Sequence, residues 1–205
     1  MEKLAILGAS GHGKVVADIA ECCGLEQIDF FDDAWPDAGT NGVWQIVGDT
    51  EVLLNKISDY DGVIVGIGNN VIRYQKLQLL SAVDTNIVSL FHPSAIISRY
   101  ASIGAGSVVM AGVVVNVDVK TGSGAILNTG CSIDHDCVLG ESVHVSPGAR
   151  LAGNVCIGDR SWVGIGAVVR QSVDIGQDVM VGAAAAVISS LPDGVTALGV
   201  PAKFI

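Results

Sequence analysis

Positive charge is scarce in this chain: 11 Lys and Arg stand against 21 Asp and Glu in 205 residues, a formal net charge of -10. Nucleic acid or an anionic membrane surface would call for a basic stripe, and the sequence has none, so the expected ligands are small. Missing too is any run of about 18 apolar residues, the length a membrane-spanning helix needs. The opening MEKLAILGASGHG has no basic segment followed by a sufficient apolar stretch, so no signal peptide is expected and the cytoplasm is the expected compartment. The five cysteines, an odd number, lack CxxC spacing; they are expected to be small core hydrophobes rather than metal ligands or disulfides. What is abundant is apolar residues, 50% of the chain, enough to bury a core and to build two modest domains.

From Ile97 to Pro192 the sequence reads as a six-residue repeat without insertion or deletion. Steps of six from Ile97 land on Ile103, Val109, Val115, Thr121, Leu127 and so on to Val187, and only Thr121 is not aliphatic. Four residues after each stands a smaller side chain, such as Ala101, Ser107, Cys131, Cys137 and Leu191, and glycine recurs at Gly104, Gly122, Gly140, Gly158 and Gly176. One large and one small inward residue per hexad, joined by glycine-rich turns, specify a flat-sided parallel β-helix. Three hexads make one coil of a three-sided prism, so residues 18 apart stack about 4.8 Å apart on one face.

Residues 1–92 follow another pattern, alternating strand and helix: strands over 3–8, 28–31, 62–67 and 87–91, helices over 12–23 and 70–81. This is a small α/β unit with a parallel sheet. Its first strand runs into Gly8, Gly11 and Gly13 at the mouth of a helix, where backbone N–H groups can hold a phosphate. Asp32 and Asp33 end the second strand, placed to accept hydrogen bonds from a ribose or base, and Gly66, Gly68, Asn69 and Asn70, followed by Arg73, form a second turn at the same carboxyl edge. The spacing GxxGxG differs from that of a dinucleotide site, and the region holds little more than one mononucleotide half. A mononucleotide or nucleotide sugar therefore fits better than a nicotinamide cofactor, with a ligand-free tight turn as the plain alternative.

Read in columns of 18, the repeats place Val108, Ile126, His144, Trp162 and Met180 above one another as outward residues. An outward apolar column is expected to be a subunit interface, most simply in a closed trimer. His135 lies half a coil before His144, on the other side of the prism, so the two can serve one site only from neighbouring subunits. His135 stands between Asp134 and Asp136, carboxylates able to fix its tautomer and leave its other nitrogen to accept a proton; an exposed turn histidine is the alternative. One coil on, Gly153 is expected to leave room for a ligand and to offer a backbone N–H to an oxyanion. For His144 a packed interface residue is the alternative, and His92 reads as a linker residue at the domain junction.

Taken together, GASGHGKVV, FFDD, GIGNNVIR, HPSAIIS, LNTGCSIDHDCVLGESVHVSPGARLAGNV and LGVPAK make the chain resemble, over nearly all its length, the two-domain hexapeptide-repeat acyltransferases of the sialic acid O-acetyltransferase and UDP-4-amino-sugar N-acetyltransferase family of the bacillosamine pathway. The resemblance implies an α/β Rossmann-like domain over 1–92 that binds a nucleotide-linked amino sugar, and a left-handed parallel β-helix over 93–205, although the usual crossover rule favours the right hand. It implies a homotrimer using acetyl-CoA and no metal, with direct transfer in a ternary complex. His135 matches the general base and Asp136 a position where relatives often carry glutamate. Asn128 and Asp134 match residues near the sugar. His144, Gly153 and Ile165 match the acetyl-CoA site, Gly153 as the backbone donor to the thioester carbonyl. In the first domain Ser10, Gly11 and His12 match a phosphate loop, Asp32 and Asp33 the base and ribose site, and Gly68, Asn69 and Arg73 further nucleotide contacts. N-acetylation of a UDP-4-amino-4,6-dideoxy sugar, O-acetylation of sialic acid or a related hydroxyl acceptor, and a non-catalytic nucleotide-binding β-helix remain open at this point, as does the choice among UDP, GDP and CMP.

Overall fold

The computed structural model describes residues 1–205, which fold as two compact units, Met1–His92 and Pro93–Ile205. In the first, β1 (Lys3–Leu7), α1 (Gly11–Cys22), β2 (Gln27–Phe31), β3 (Thr40–Asn41), β4 (Trp44–Gly48), α2 (Thr50–Asn55), β5 (Gly62–Val65) and α3 (Asn70–Ser81) follow in order. The sheet runs β3-β4-β2-β1-β5, parallel except for β3, which pairs antiparallel with β4. The central strands are continuous apolar runs because both sheet faces are covered: Leu4, Ala5, Ile6, Phe30, Val63 and Ile64 have no exposed surface. Three of these elements escaped the sequence reading, β3, β4 and α2. The expected strand over 87–91 reduces to a bridge from Ile87 to Val63 and a pair at Leu90–Phe91.

The second unit is the expected left-handed parallel β-helix. Its two-residue strands stack at intervals of 18 on each face: Val108, Ile126, His144, Trp162 and Met180 are register partners. So are Val114, Ser132, Arg150, Val168 and Ala186, and Lys120, Val138, Cys156 and Asp174. The corners turn by a residue of positive φ every six positions from Gly106 to Ala184, non-glycine ones being Asp118, Asp136, Ser142, Asn154, Arg160, Ser172, Asp178 and Ala184. Leu127, Ile133, Cys131 and Cys137 are fully buried inside. Polar groups facing inward are satisfied: Ser107 Oγ donates to the Gly104 carbonyl and accepts from Ala125 N–H, and Ser161 makes the same pair of bonds with Gly176 and Val179.

Three expectations need correction. The period does not hold to Pro192: Leu191 pairs with Ile175 and Met180 with Thr196, each 16 rather than 18 residues apart, so the last coil is two residues short and Leu191 fills a large inward position. Its final strand, Thr196–Leu198, is covered by Lys203–Phe204 running antiparallel. The apolar column is not wholly outward surface, since Val108, Ile126 and His144 are buried within the single chain and Met180 is 40% exposed. Of the cysteines only Cys131 and Cys137 are core residues; Cys22, Cys23 and Cys156 are exposed and free.

Candidate active site

In the first unit the loops after β1, β2 and β5 meet at the carboxyl edge of the sheet around a cleft of about 220 Å³, lined by Leu7, Gly8, Ser10, Asp32, Asp33, Ile67, Ile72 and Lys76. The approach of these loops is close: Gly8 has φ +112°, and a Cβ there would press on Ile67 and the Gly66 backbone, so a larger residue would force the cleft apart. The helix ends differ in how their N–H groups are used. Asp49 caps α2 by accepting from Val52 N–H and Asn69 caps α3 by accepting from Ile72 N–H, whereas Ser10 begins α1 with no side-chain cap. The first turn of α1, which contains Gly11, His12 and Gly13, thus keeps its N–H groups for an anion.

Ser10, Asp32 and Asp33 are brought together in the cleft as expected from the sequence, but several residues have prior engagements. Asp32 accepts from Ala9 N–H at 2.7 Å and Ala34 N–H at 3.0 Å, tying the two loops. Arg73 is buried, its guanidinium donating to the carbonyls of Ile67 and Gly68 and to Asn70 Oδ1, so it shapes the second turn from behind. Asn69 is a helix cap. His12 is held neutral: burial, with the nearby Arg73 charge adding to it, pushes its pKa down to about 4. Lys76, which sequence reasoning missed, reaches Asp33 Oδ2 and Thr50 Oγ1, each at 2.8 Å. It lies one turn beyond Ile72 on α3, a spacing that puts both on the cleft face.

In the second unit a different cluster forms. Asp136 sits at a corner with φ +61° and its Oδ2 lies 2.7 Å from His135 Nδ1. Asp134 Oδ1 accepts His135 N–H at 2.8 Å and Asn116 Nδ2 at 3.0 Å, Asn116 belonging to the coil before. The imidazole, 55% exposed, is thereby fixed with Nδ1 toward a carboxylate. The Asp136 hydrogen bond raises the His135 pKa above that of an ordinary histidine; desolvation opposes it and the charges of Asp134 and Asp136 reinforce it. Gly153 makes room for this ring: a Cβ there would meet His135 Cε1 at 2.5 Å and Nε2 at 2.6 Å.

Asn128 and His144 form a second pair, with Asn128 Nδ2 3.1 Å from His144 Nε2 and the His144 ring stacked on Trp162 at 4.7 Å between centroids. His144 is buried, while Ile165 is 57% exposed. His135 and His144 lie nine residues, half a coil, apart along the prism.

Comparison with known proteins identifies relatives of the whole chain. The PglD N-terminal domain profile matches residues 3–80. The acetyltransferase domain of PglB from Neisseria gonorrhoeae in complex with acetyl coenzyme A is 41% identical, with 100% of this chain and 99% of that one covered and a TM-score of 0.95. The chain belongs to the PglD family of sugar acetyltransferases. Another family structure, a histidine-to-asparagine mutant of perosamine N-acetyltransferase from Caulobacter crescentus in complex with CoA and GDP-perosamine, is 38% identical over 100% of this chain and 97% of that one, with a TM-score of 0.94. UDP-N-acetylbacillosamine N-acetyltransferase of Bacillus subtilis is 36% identical over 113 residues, 54% of this chain. The matched segment spans about half, 52%, of that curated relative.

Proposed function

We propose that this protein is an acetyl-CoA-dependent N-acetyltransferase acting on the 4-amino group of a nucleotide-linked 4-amino-4,6-dideoxy sugar. The observation that carries the reading is the exposed His135, held by Asp136 and standing over Gly153, in a chain whose full-length relatives are sugar acetyltransferases holding acetyl coenzyme A or CoA. A thioester is attacked only by an unprotonated amine. His135 Nε2 accepts the proton of the attacking nitrogen while Asp136 stabilises the imidazolium through Nδ1. The tetrahedral oxyanion is matched by the Gly153 N–H, and the proton on His135 goes to the departing CoA thiolate. Asn128 and Asp134 face the sugar, His144 and Ile165 the acetyl-CoA, and Ser10, Gly11 and His12 with the Asp32 and Asp33 cleft hold the nucleotide. Three protomers form the active particle in the cytoplasm, a reading supported by apolar side chains left exposed on the β-helix, Val138, Ile165 and Val168 among them.

Thiol release from acetyl-CoA is the test, run with UDP-4-amino-4,6-dideoxy-N-acetylglucosamine, GDP-perosamine, and free or CMP-linked sialic acid. Turnover on one nucleotide amino sugar, falling by about 10²- to 10⁴-fold in His135→Ala, is expected. Turnover confined to sialic acid would move the enzyme to hydroxyl acceptors, and an active His135→Ala would remove the base.

A further inference from the structure

Asn116 takes no part in the proposed chemistry, yet its side chain ends on the carboxylate beside the base. It stands one coil before Asp134 on the same face, and its Nδ2 donates to Asp134 Oδ1 at 3.0 Å, the oxygen that also accepts the His135 N–H at 2.8 Å. An ionised carboxylate only accepts, so the amide must turn its NH₂ to Asp134 and the pair has one orientation. Both bonds fall on Oδ1 and leave the lone pairs of Oδ2 for another donor. The β-helix does not need this contact. Backbone bonds already close the coil there: Asn116 N–H to the Ile133 carbonyl at 3.0 Å, Asp134 N–H to the Leu151 carbonyl at 3.0 Å and Asp136 N–H to the Val117 carbonyl at 3.2 Å. The same hexad position on another face is glycine at Gly104, Gly122, Gly140, Gly158 and Gly176, so the fold asks for no side chain there. Asn116 is itself exposed and fills no core space.

We infer that Asn116 is a positioning residue of the acceptor site: through Asp134 it holds the free carboxylate oxygen ready for the incoming amino sugar and ties the His135 backbone to the coil before. This rests on the acetyltransferase reading above, in which Asp134 faces the sugar. An aspartate on an exposed turn is free to change rotamer, and ordering it on binding costs affinity. Held at one oxygen by donors from two coils, Asp134 is set in a single rotamer before the acceptor arrives. The neutrality of the donor matters as much as its place. A lysine at 116 would cancel the charge of Asp134, whereas an amide fixes the carboxylate and leaves its charge to attract the donors of the sugar. Asn116 touches neither substrate nor cofactor in this scheme; its whole effect passes through Asp134.

Thiol release from acetyl-CoA with the nucleotide amino sugar varied tests this in the wild type, Asn116→Ala, Asp134→Ala and the double variant. Asn116→Ala is expected to lower kcat/KM for the acceptor about tenfold, with the KM for acetyl-CoA and the thermal midpoint unchanged. In the Asp134→Ala background the same substitution is expected to cost no more than about twofold, because the group it acts through is gone. Asn116→Asp keeps the shape, loses the donor and sets a second negative charge against Asp134, so its kcat/KM is expected to fall below that of Asn116→Ala. A packing role would instead leave this isosteric variant like wild type, and the ranking decides the matter even where Asp134→Ala is too slow to measure. Wild-type kcat/KM in Asn116→Ala, Asn116→Asp or Asp134→Ala, or an equal loss from Asn116→Ala in both backgrounds, would overturn the assignment of Asn116 while leaving an acetyltransferase. No turnover by the wild type on any nucleotide amino sugar would overturn the acetyltransferase reading itself, and this inference with it.

Discussion

At the scale of single residues, the proposed catalytic cluster separates position from basicity. Asp136 sets the pH range of His135: its hydrogen bond raises the imidazole pKa, so in the wild type the base is protonated, and idle, up to a higher pH than a free histidine would be. Asp136→Asn removes that charge. The acid limb of the kcat/KM profile is then expected to move to lower pH while the plateau falls about tenfold, because the ring loses its orienting carboxylate and becomes a weaker base. A limb that stays in place would show that Asp136 does not face the working histidine. Gly153 governs position. In Gly153→Ala the new Cβ meets the tip of a side chain, which can swing aside, so thermal unfolding should be nearly unchanged while kcat drops by about 10²-fold through displacement of the ring. Much of this cluster was legible in the sequence because Asp134-His135-Asp136 are contiguous and Gly153 follows by one coil. Lys76 was not, since it carries no motif and shows itself only as part of a helix face. Nor was the rank of Gly153 as a seat for the imidazole, which depends on a rotamer no spacing reveals.

At the scale of elements, the β-helix corners explain why the same substitution has opposite costs elsewhere. A Cβ at Gly122 would lie 2.7 Å from Glu141 N and 2.8 Å from the Gly140 carbonyl carbon, backbone atoms of the next coil that cannot move alone. Gly122→Ala is expected to destabilise the β-helix by about 1–3 kcal/mol, read as a lower urea midpoint, with the nucleotide affinity of the first unit kept. Midpoints equal to wild type would mean that the coils tolerate local separation. The rungs could be placed from sequence alone because each hexad must put a large and a small side chain inside, a constraint that fixes register over the whole run. The two-residue shortening escaped notice because Leu191 is apolar and suits either inward position. Likewise β4 and α2 were missed: the six residues of α2 are too few to show a helical period, and the run Trp44–Gly48 is interrupted by polar Gln45 and closed by Gly48.

At the scale of the whole molecule, the separation of the His135 cluster from the Asn128–His144 pair bears on how many chains build one site. If an acetyl group is handled by His135 of one protomer and His144 of its neighbour, mixing inactive His135→Ala and His144→Ala proteins under subunit exchange should restore activity to a minority of sites. Activity that never rises above that of the separate variants would place both residues in a single-chain site or remove His144 from the chemistry. The mass of the particle, expected at three times 21.0 kDa by sedimentation, is the accompanying check. The far end of the β-helix has a consequence of its own. A stack of parallel rungs ends in unpaired backbone groups that match the first rung of another copy, which invites growth into fibres. By dropping two residues from the last coil and laying Lys203–Phe204 across Thr196–Leu198 in the opposite direction, the chain presents on that face a rung of the wrong polarity for its own beginning. The prism is thereby a finite object: copies can meet side by side, but the end of one is a poor template for the start of the next.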